Sequence, residues 1–112
     1  MKVRHICNQR LFDSTYKCKE MDGPLPDISI VCHRCSRNAQ KRVLVKFKVE
    51  LPRWIEPIIP EPVTCSNLMC MSRVCDLSLP YTLVDGLETH DMAIKCHCGT
   101  VTYISLGGVA RV

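Results

Sequence analysis

Aromatic side chains are scarce. Two Phe, three Tyr and one Trp in 112 residues leave the chain short of the groups that bury about 150–250 Å² each and dominate most cores. A chain this short buries only about two-thirds of its unfolded surface, so apolar burial alone is a thin basis for a fold. Long hydrophobic runs are missing too. No stretch approaches the roughly 20 apolar residues of a membrane span, and the opening MKVRHICNQRLF lacks the apolar centre of a secretory leader. None of Asn8, Asn38 and Asn67 begins an Asn-x-Ser/Thr acceptor. These absences point away from secretion and membranes, and toward a reducing intracellular compartment.

Cysteine is abundant, with nine residues. In a reducing setting, clustered cysteines at short spacing are metal ligands more often than disulfides, and an odd total fits poorly with complete pairing. One phrase occurs twice: DISIVCHRC from Asp27 to Cys35 and DMAIKCHC from Asp91 to Cys98. Each joins an aspartate and a short strand-like run to a cysteine pair, and each is followed by a turn and an alternating segment. Two hairpins with thiolate pairs at their tips are the organisation of a zinc ribbon. Zn²⁺ takes four ligands at tetrahedral corners, and one knuckle can supply two of them. Cys32, Cys35, Cys96 and Cys98 are therefore expected on one ion, with His33 and His97 at the surface or behind the ligands. The run CSNLMCMSRVC adds Cys65, Cys70 and Cys75, three thiols that a second ion would use with His90, Cys7 or Cys18 as the fourth ligand. A competing arrangement joins Cys32 and Cys35 to Cys65 and Cys70 and leaves Cys75, His90, Cys96 and Cys98 for the other ion. Spacing leaves both open, with one or two zinc ions per chain.

The chain divides into an N-terminal arm, residues 1–26, ending in the loop DGPLPD, and a zinc-binding domain, residues 27–112. ISIVC and MAIKC read as strands entering the two pairs, and TVTYISL reads as the strand returning from the second. KRVLVKFKVEL alternates, with Val43, Val45, Phe47, Val49 and Leu51 on one side and Lys46, Lys48 and Glu50 on the other. Four prolines between Pro52 and Pro62 break sheet pairing and favour an extended connector. SNLMCMSRVCDLSL reads as a short helix capped by Ser66 or Asn67, with Leu68, Met69 and Met71 packing inward. The fold expected is a small β-rich (α+β) zinc-binding domain of ribbon-like hairpins with one short helix.

Charge is uneven. Residues 1–50 hold eleven Lys/Arg against five Asp/Glu, and residues 51–112 hold four against six, so an anionic partner meets the first half. Arg34, Arg37, Lys41, Arg42, Lys46 and Lys48 surround the first knuckle and its strand, and Arg53 stands beside Trp54. Cations on a rigid strand can follow a phosphate backbone, and an indole can stack on an unpaired base. The same pattern also suits a solvated strand face. Neighbouring Cys and His residues come without an orienting carboxylate or a phosphate-cradling loop, so no enzyme is expected.

The combination of CHRC with TCSNLMC, at this length and cysteine content, resembles the small cysteine-rich zinc-finger proteins of plant RNA viruses, those of benyviruses and carlaviruses. The resemblance implies a zinc-finger viral protein that binds RNA and suppresses host RNA silencing, in the host cytoplasm or nucleus. A second reading, from a different class, is a zinc-stabilised adaptor that displays Trp54 and the proline segment to a host protein without touching RNA. A homodimer is compatible with either.

Overall fold

The structure, a computed structural model, describes residues 1–51, 58–85 and 90–106. Ten strands and one short helix follow in order: β1 (Lys2–Arg4), β2 (Arg10–Ser14), β3 (Cys18–Glu20), β4 (Ile28–Val31), α1 (His33–Ala39), β5 (Leu44–Val49), β6 (Glu61–Thr64), β7 (Arg73–Leu77), β8 (Thr82–Val84), β9 (Met92–Lys95) and β10 (Val101–Ser105). They form two five-stranded sheets, ordered β1-β2-β9-β10-β8 and β3-β5-β4-β7-β6, with every pairing antiparallel. Among the described residues no helix is long and apolar enough to cross a membrane.

The sheets follow from period-two patterning. Val45, Phe47 and Val49 of β5, Ile28 and Ile30 of β4, Met92 and Ile94 of β9, and Thr102 and Ile104 of β10 are buried, while their alternate neighbours are not. These faces share one core, and Phe12 of β2 meets Phe47 of β5 edge to face at 5.6 Å, one ring from each sheet. Four of the sequence-based strands are thus present.

The repeated phrase is the visible part of a larger repeat. The first half, β1 to β5, and the second, β6 to β10, match strand by strand, with α1 of the first half replaced by a turn in the second. Both opening hairpins carry a register shift at the same step, between Val3 and Arg4 and between Val63 and Thr64. Both second strands carry an Arg–Asp pair three residues apart, Arg10–Asp13 and Arg73–Asp76. Asp27 Oδ2 accepts the Val49 N–H at 2.9 Å, and Asp91 Oδ2 accepts the Leu106 N–H at 2.7 Å. Each of these buried carboxylates therefore closes its hairpin by satisfying a backbone donor. Their carbonyls receive the N–H groups of Ser78 and Thr15, each from the opposite half.

That last detail sets the architecture, because the halves exchange their opening hairpins. β1–β2 joins the sheet of β8, β9 and β10, and β6–β7 joins the sheet of β3, β4 and β5. Three expectations are corrected. Residues 1–26 are no arm: they supply β1, β2 and β3 to both sheets, and Val3 and Phe12 lie in the core. The helix expected over SNLMCMSRVCDLSL is absent. Asn67 forms a turn there, its Oδ1 accepting the Met69 N–H and its carbonyl the Cys70 N–H, and Arg73–Leu77 is a strand. The helix lies instead at His33–Ala39, where a turn was expected. It buries none of its residues and ends at Gln40 in the left-handed region, φ 54°. Pro62 sits in the edge strand β6, where its missing N–H costs no ladder bond.

Candidate metal centres

Two groups of four ligands assemble. His5, Cys7, Cys32 and Cys35 form one and Cys65, Cys70, Cys96 and Cys98 the other, with the candidate ligand atoms of each group all within 4.8 Å of one another. Each comes from one half of the chain: the loop of the opening hairpin gives two ligands, and the knuckle after β4 or β9 gives two more. Because the halves exchange hairpins, each group spans both sheets.

Local backbone geometry presents the ligands. The His5 N–H bonds to the Gln9 carbonyl and the Cys65 N–H to that of Ser72, closing equivalent loops. Cys7 and Cys70 each precede a residue at positive φ, Asn8 (69°) and Met71 (53°), that turns the chain back. On the other side, the Cys32 N–H bonds to the Val43 carbonyl and the Cys96 N–H to that of Thr100. The second knuckle turns through Gly99, at φ 92°, where a side chain would be strained. In the first, Ser36 Oγ donates to the Cys32 carbonyl at 2.7 Å and accepts the Val43 N–H at 2.9 Å, fixing α1 and with it Cys35.

The sulfur spacing tests the fit to a metal. Cys7 and Cys32 Sγ lie 3.6 Å apart, Cys65 and Cys98 3.6 Å, and Cys70 and Cys96 3.8 Å. A disulfide needs about 2.05 Å, whereas two thiolates on tetrahedral Zn²⁺, each with a bond of about 2.3 Å, stand about 3.8 Å apart. The donor sets, one imidazole with three thiols and four thiols, are those of closed structural zinc sites. His5 Nδ1 lies 2.9 Å from Glu20 Oε1, too obliquely for a directed hydrogen bond.

The thiols are unevenly poised. Hydrogen bonds from Thr100 hold Cys98 down at about 6, and those from Ser72 lower Cys70. At Cys7, burial pulls upward, but hydrogen bonds from the Gln9 backbone and the Cys32 and Cys35 thiols leave it lowered. Burial, with neighbouring sulfurs adding, pushes Cys35 up to about 11 and Cys96 up to about 12. Each group thus pairs easily ionised thiols with reluctant ones, because burial disfavours the charged form and the shared thiol hydrogen bonds favour ionising one sulfur at its neighbour's expense. A divalent cation removes that conflict.

The residues expected on a metal are only partly brought together. Cys32 and Cys35 do not meet Cys96 and Cys98: the hairpin exchange sends the two knuckles to separate groups. The competing joining of Cys32 and Cys35 to Cys65 and Cys70 is not formed either, although β7 pairs with β4, because Cys65 and Cys70 group with Cys96 and Cys98. Cys75 belongs to neither group. It is a buried residue of β7 whose thiol burial pushes up to about 12. His90 packs at a tilt against Tyr103, centroids 4.5 Å apart, outside both groups. Cys18 lies in β3, also outside both. His97 sits behind a ligand, Nδ1 3.5 Å from Cys96 Sγ, and His33 is exposed. His5 was missed. The signal for it was the sixty-residue offset that sets Val3, Arg4 and His5 against Val63, Thr64 and Cys65.

Among the expected RNA contacts, Arg34, Arg37, Lys41 and Arg42 are exposed on and just after α1, and Arg34 Nη1 donates to the Cys7 carbonyl. Lys46 and Lys48 are half-buried and engaged, Lys46 with the Gly23 carbonyl at 3.2 Å and Lys48 with Asp27 at 3.5 Å. Arg53 and Trp54 lie outside the described residues. No family model matches the chain, and no curated protein or solved structure is significantly similar to it.

Proposed function

We propose that the chain is a non-enzymatic zinc-finger protein of the viral accessory type, whose two Zn²⁺ ions hold the sheets together and whose basic surface engages RNA to counter host silencing. The observation that carries the zinc reading is the pair of four-ligand groups at tetrahedral sulfur spacing. Zinc there supplies structure: a closed four-ligand site leaves no open position for substrate, and the ion links hairpins that different sheets hold.

The RNA reading draws on the exposed cations around α1. Arg37, Lys41 and Arg42 have no ion-pair partner among the described residues, and the first metal group anchors the helix that carries Arg37. Lys46 and Lys48, spent on internal partners, contribute field more than contact. Binding of this kind weakens with salt in proportion to the phosphates neutralised. The test is fluorescence anisotropy with labelled single- and double-stranded RNA across a salt series. The reading expects Arg37→Glu/Lys41→Glu/Arg42→Glu to abolish binding while the chain retains two zinc ions; wild-type protein without affinity for either RNA contradicts it.

One observation favours the adaptor reading. Ile6 in the first ligand loop, and Leu68, Met69 and Met71 in and beside the second, are exposed, Met69 at 94%. Apolar side chains held in water on pinned loops suit a protein partner. Loss of silencing suppression in Leu68→Ser/Met69→Ser, with RNA affinity unchanged, would select the adaptor.

A further inference from the structure

We propose that the cleft between the two sheets seats a nucleotide unit of single-stranded RNA, with its phosphate on Arg10 and Arg73 and its base against the apolar lining. This rests on the reading of RNA as the partner and adds to the cations around α1 a built contact point beside the start of that helix, where His33 lines the cleft.

The cleft exists because paired strands part. β2 and β9 pair only through Asp13–Ala93 and Ser14–Met92, and β4 and β7 pair no further than Ile30–Cys75. Beyond those pairs the strands splay and leave a cleft of about 640 Å³ lined from both sheets, within the range of sites that enclose small ligands. The repeat fills it symmetrically. Arg10 and Arg73 are equivalent residues from different sheets, and His33 and His97 likewise, with Lys95 as a further cation. Asp13 is the one carboxylate among the lining residues.

The two arginines are oriented and incompletely used. Arg10 gives Nη2 to Asp13 at 3.2 Å, and Arg73 gives Nε to Asp76 at 2.8 Å together with Nη2. Arg10 keeps Nε and Nη1, and Arg73 keeps Nη1, on side chains that are about half exposed, 47% and 48%. Aspartates that hold guanidinium groups in place while leaving donors free prepare them for phosphate, which the planar fork matches. Between them Leu11, Val31 and Val101 are half-buried and offer a base an apolar contact without edge-specific hydrogen bonds, which gives sequence-tolerant binding. Neither metal group uses any of these side chains.

The experiment uses the full zinc-loaded chain with a fluorescein-labelled ten-nucleotide single-stranded RNA and, separately, adenosine triphosphate as a free nucleotide. Arg10→Gln/Arg73→Gln is compared with Arg37→Gln/Lys41→Gln/Arg42→Gln, each first shown to retain its zinc. The proposal expects the cleft variant to lose about tenfold or more in RNA affinity and its log–log salt slope to shrink by about one, for the single phosphate released. Should the cleft variant fold poorly, Arg10→Lys/Arg73→Lys keeps the charge, removes the fork, and is expected to lose affinity while retaining most of the slope. Wild-type RNA binding that the cleft variants leave unchanged overturns the cleft and leaves the RNA reading standing. If wild-type protein binds no RNA, that reading falls and the triphosphate decides the cleft: saturable binding lost in Arg10→Gln/Arg73→Gln retains it as a nucleotide site, and no binding removes it.

Discussion

Cys96 and Cys75 offer a controlled comparison. Both are buried, at 6% and 4% exposure, and burial pushes both thiols up to about 12. Burial and acidity therefore cannot tell them apart, yet only Cys96 belongs to a metal group. Serine in place of Cys75 puts a hydroxyl among apolar neighbours, which costs about 1–3 kcal/mol and lowers Tm by roughly 5–15 °C in a chain of this size. Serine in place of Cys96 removes one of four candidate metal ligands, a zinc ligand on the reading proposed above. Structural zinc binding is worth about 10–16 kcal/mol, as much as the whole folding stability of a typical domain, about 5–15 kcal/mol. Cys96→Ser should accordingly hold one zinc ion per chain instead of two and lose its cooperative melting transition, or melt far below Cys75→Ser. Elemental analysis of gel-filtered protein gives the first readout and calorimetry at fixed free zinc the second. Two ions in Cys96→Ser, or one in Cys75→Ser, refute the assignment.

Three further outcomes follow from the same geometry. His5→Ala should reduce the zinc content to one per chain, whereas His5→Cys should restore two by reproducing the all-sulfur group; equal metal content in wild type and His5→Ala would make His5 a bystander. In a pulse of alkylating agent given as chelator is added, before the chain unfolds, the exposed Cys98 should be the first thiol alkylated. Its pKa is depressed to about 6, so its thiolate is lost as pH falls through that value, and its rate should rise with pH up to about 6 and level off above, while Cys75, raised to about 12, stays inert; mass-spectrometric mapping checks this, and dominant labelling of Cys75 contradicts it. Gln40→Gly should stabilise the protein by about 0.5–1 kcal/mol, because Gln40 caps α1 at positive φ, as read by denaturant titration with zinc held constant.

The parts of the fold legible in the sequence were those governed by local period. β4, β5, β9 and β10 alternate, so Ile28, Val45, Phe47, Ile94 and Ile104 fall where a half-buried strand puts them. The knuckles around Cys32–Cys35 and Cys96–Cys98 were legible for the same reason, since short spacing is itself the ligand chemistry. Pairing was not legible, because exchange of hairpins between halves is a long-range choice that leaves no mark on any local segment. The strands β1 and β3 are three residues long, too short for a period to appear, and so residues 1–26 read as an arm. In CSNLMCMSRVC, cap residues and apolar spacing suggested a helix. Asn67 spends its capping ability on a turn, and Leu68 and Met69 stay in water because the cysteines on either side of them fix the loop. Conversely, α1 has no apolar face to betray it, being held by Cys32, Cys35 and Ser36. His5 has only Cys7 as a nearby ligand, and comparing the halves across sixty residues is what reveals it as the counterpart of Cys65.

On the zinc reading, seven thiols and one imidazole, divided between two groups, close on two ions that fasten one sheet to the other. X-ray absorption at the zinc edge, on protein of known metal content, tests it most directly. Two ions per chain are expected, with an average of 3.5 sulfur and 0.5 nitrogen ligands each, at about 2.3 and 2.0 Å. A single ion with four sulfurs, or two ions dominated by oxygen and nitrogen ligands, would contradict it.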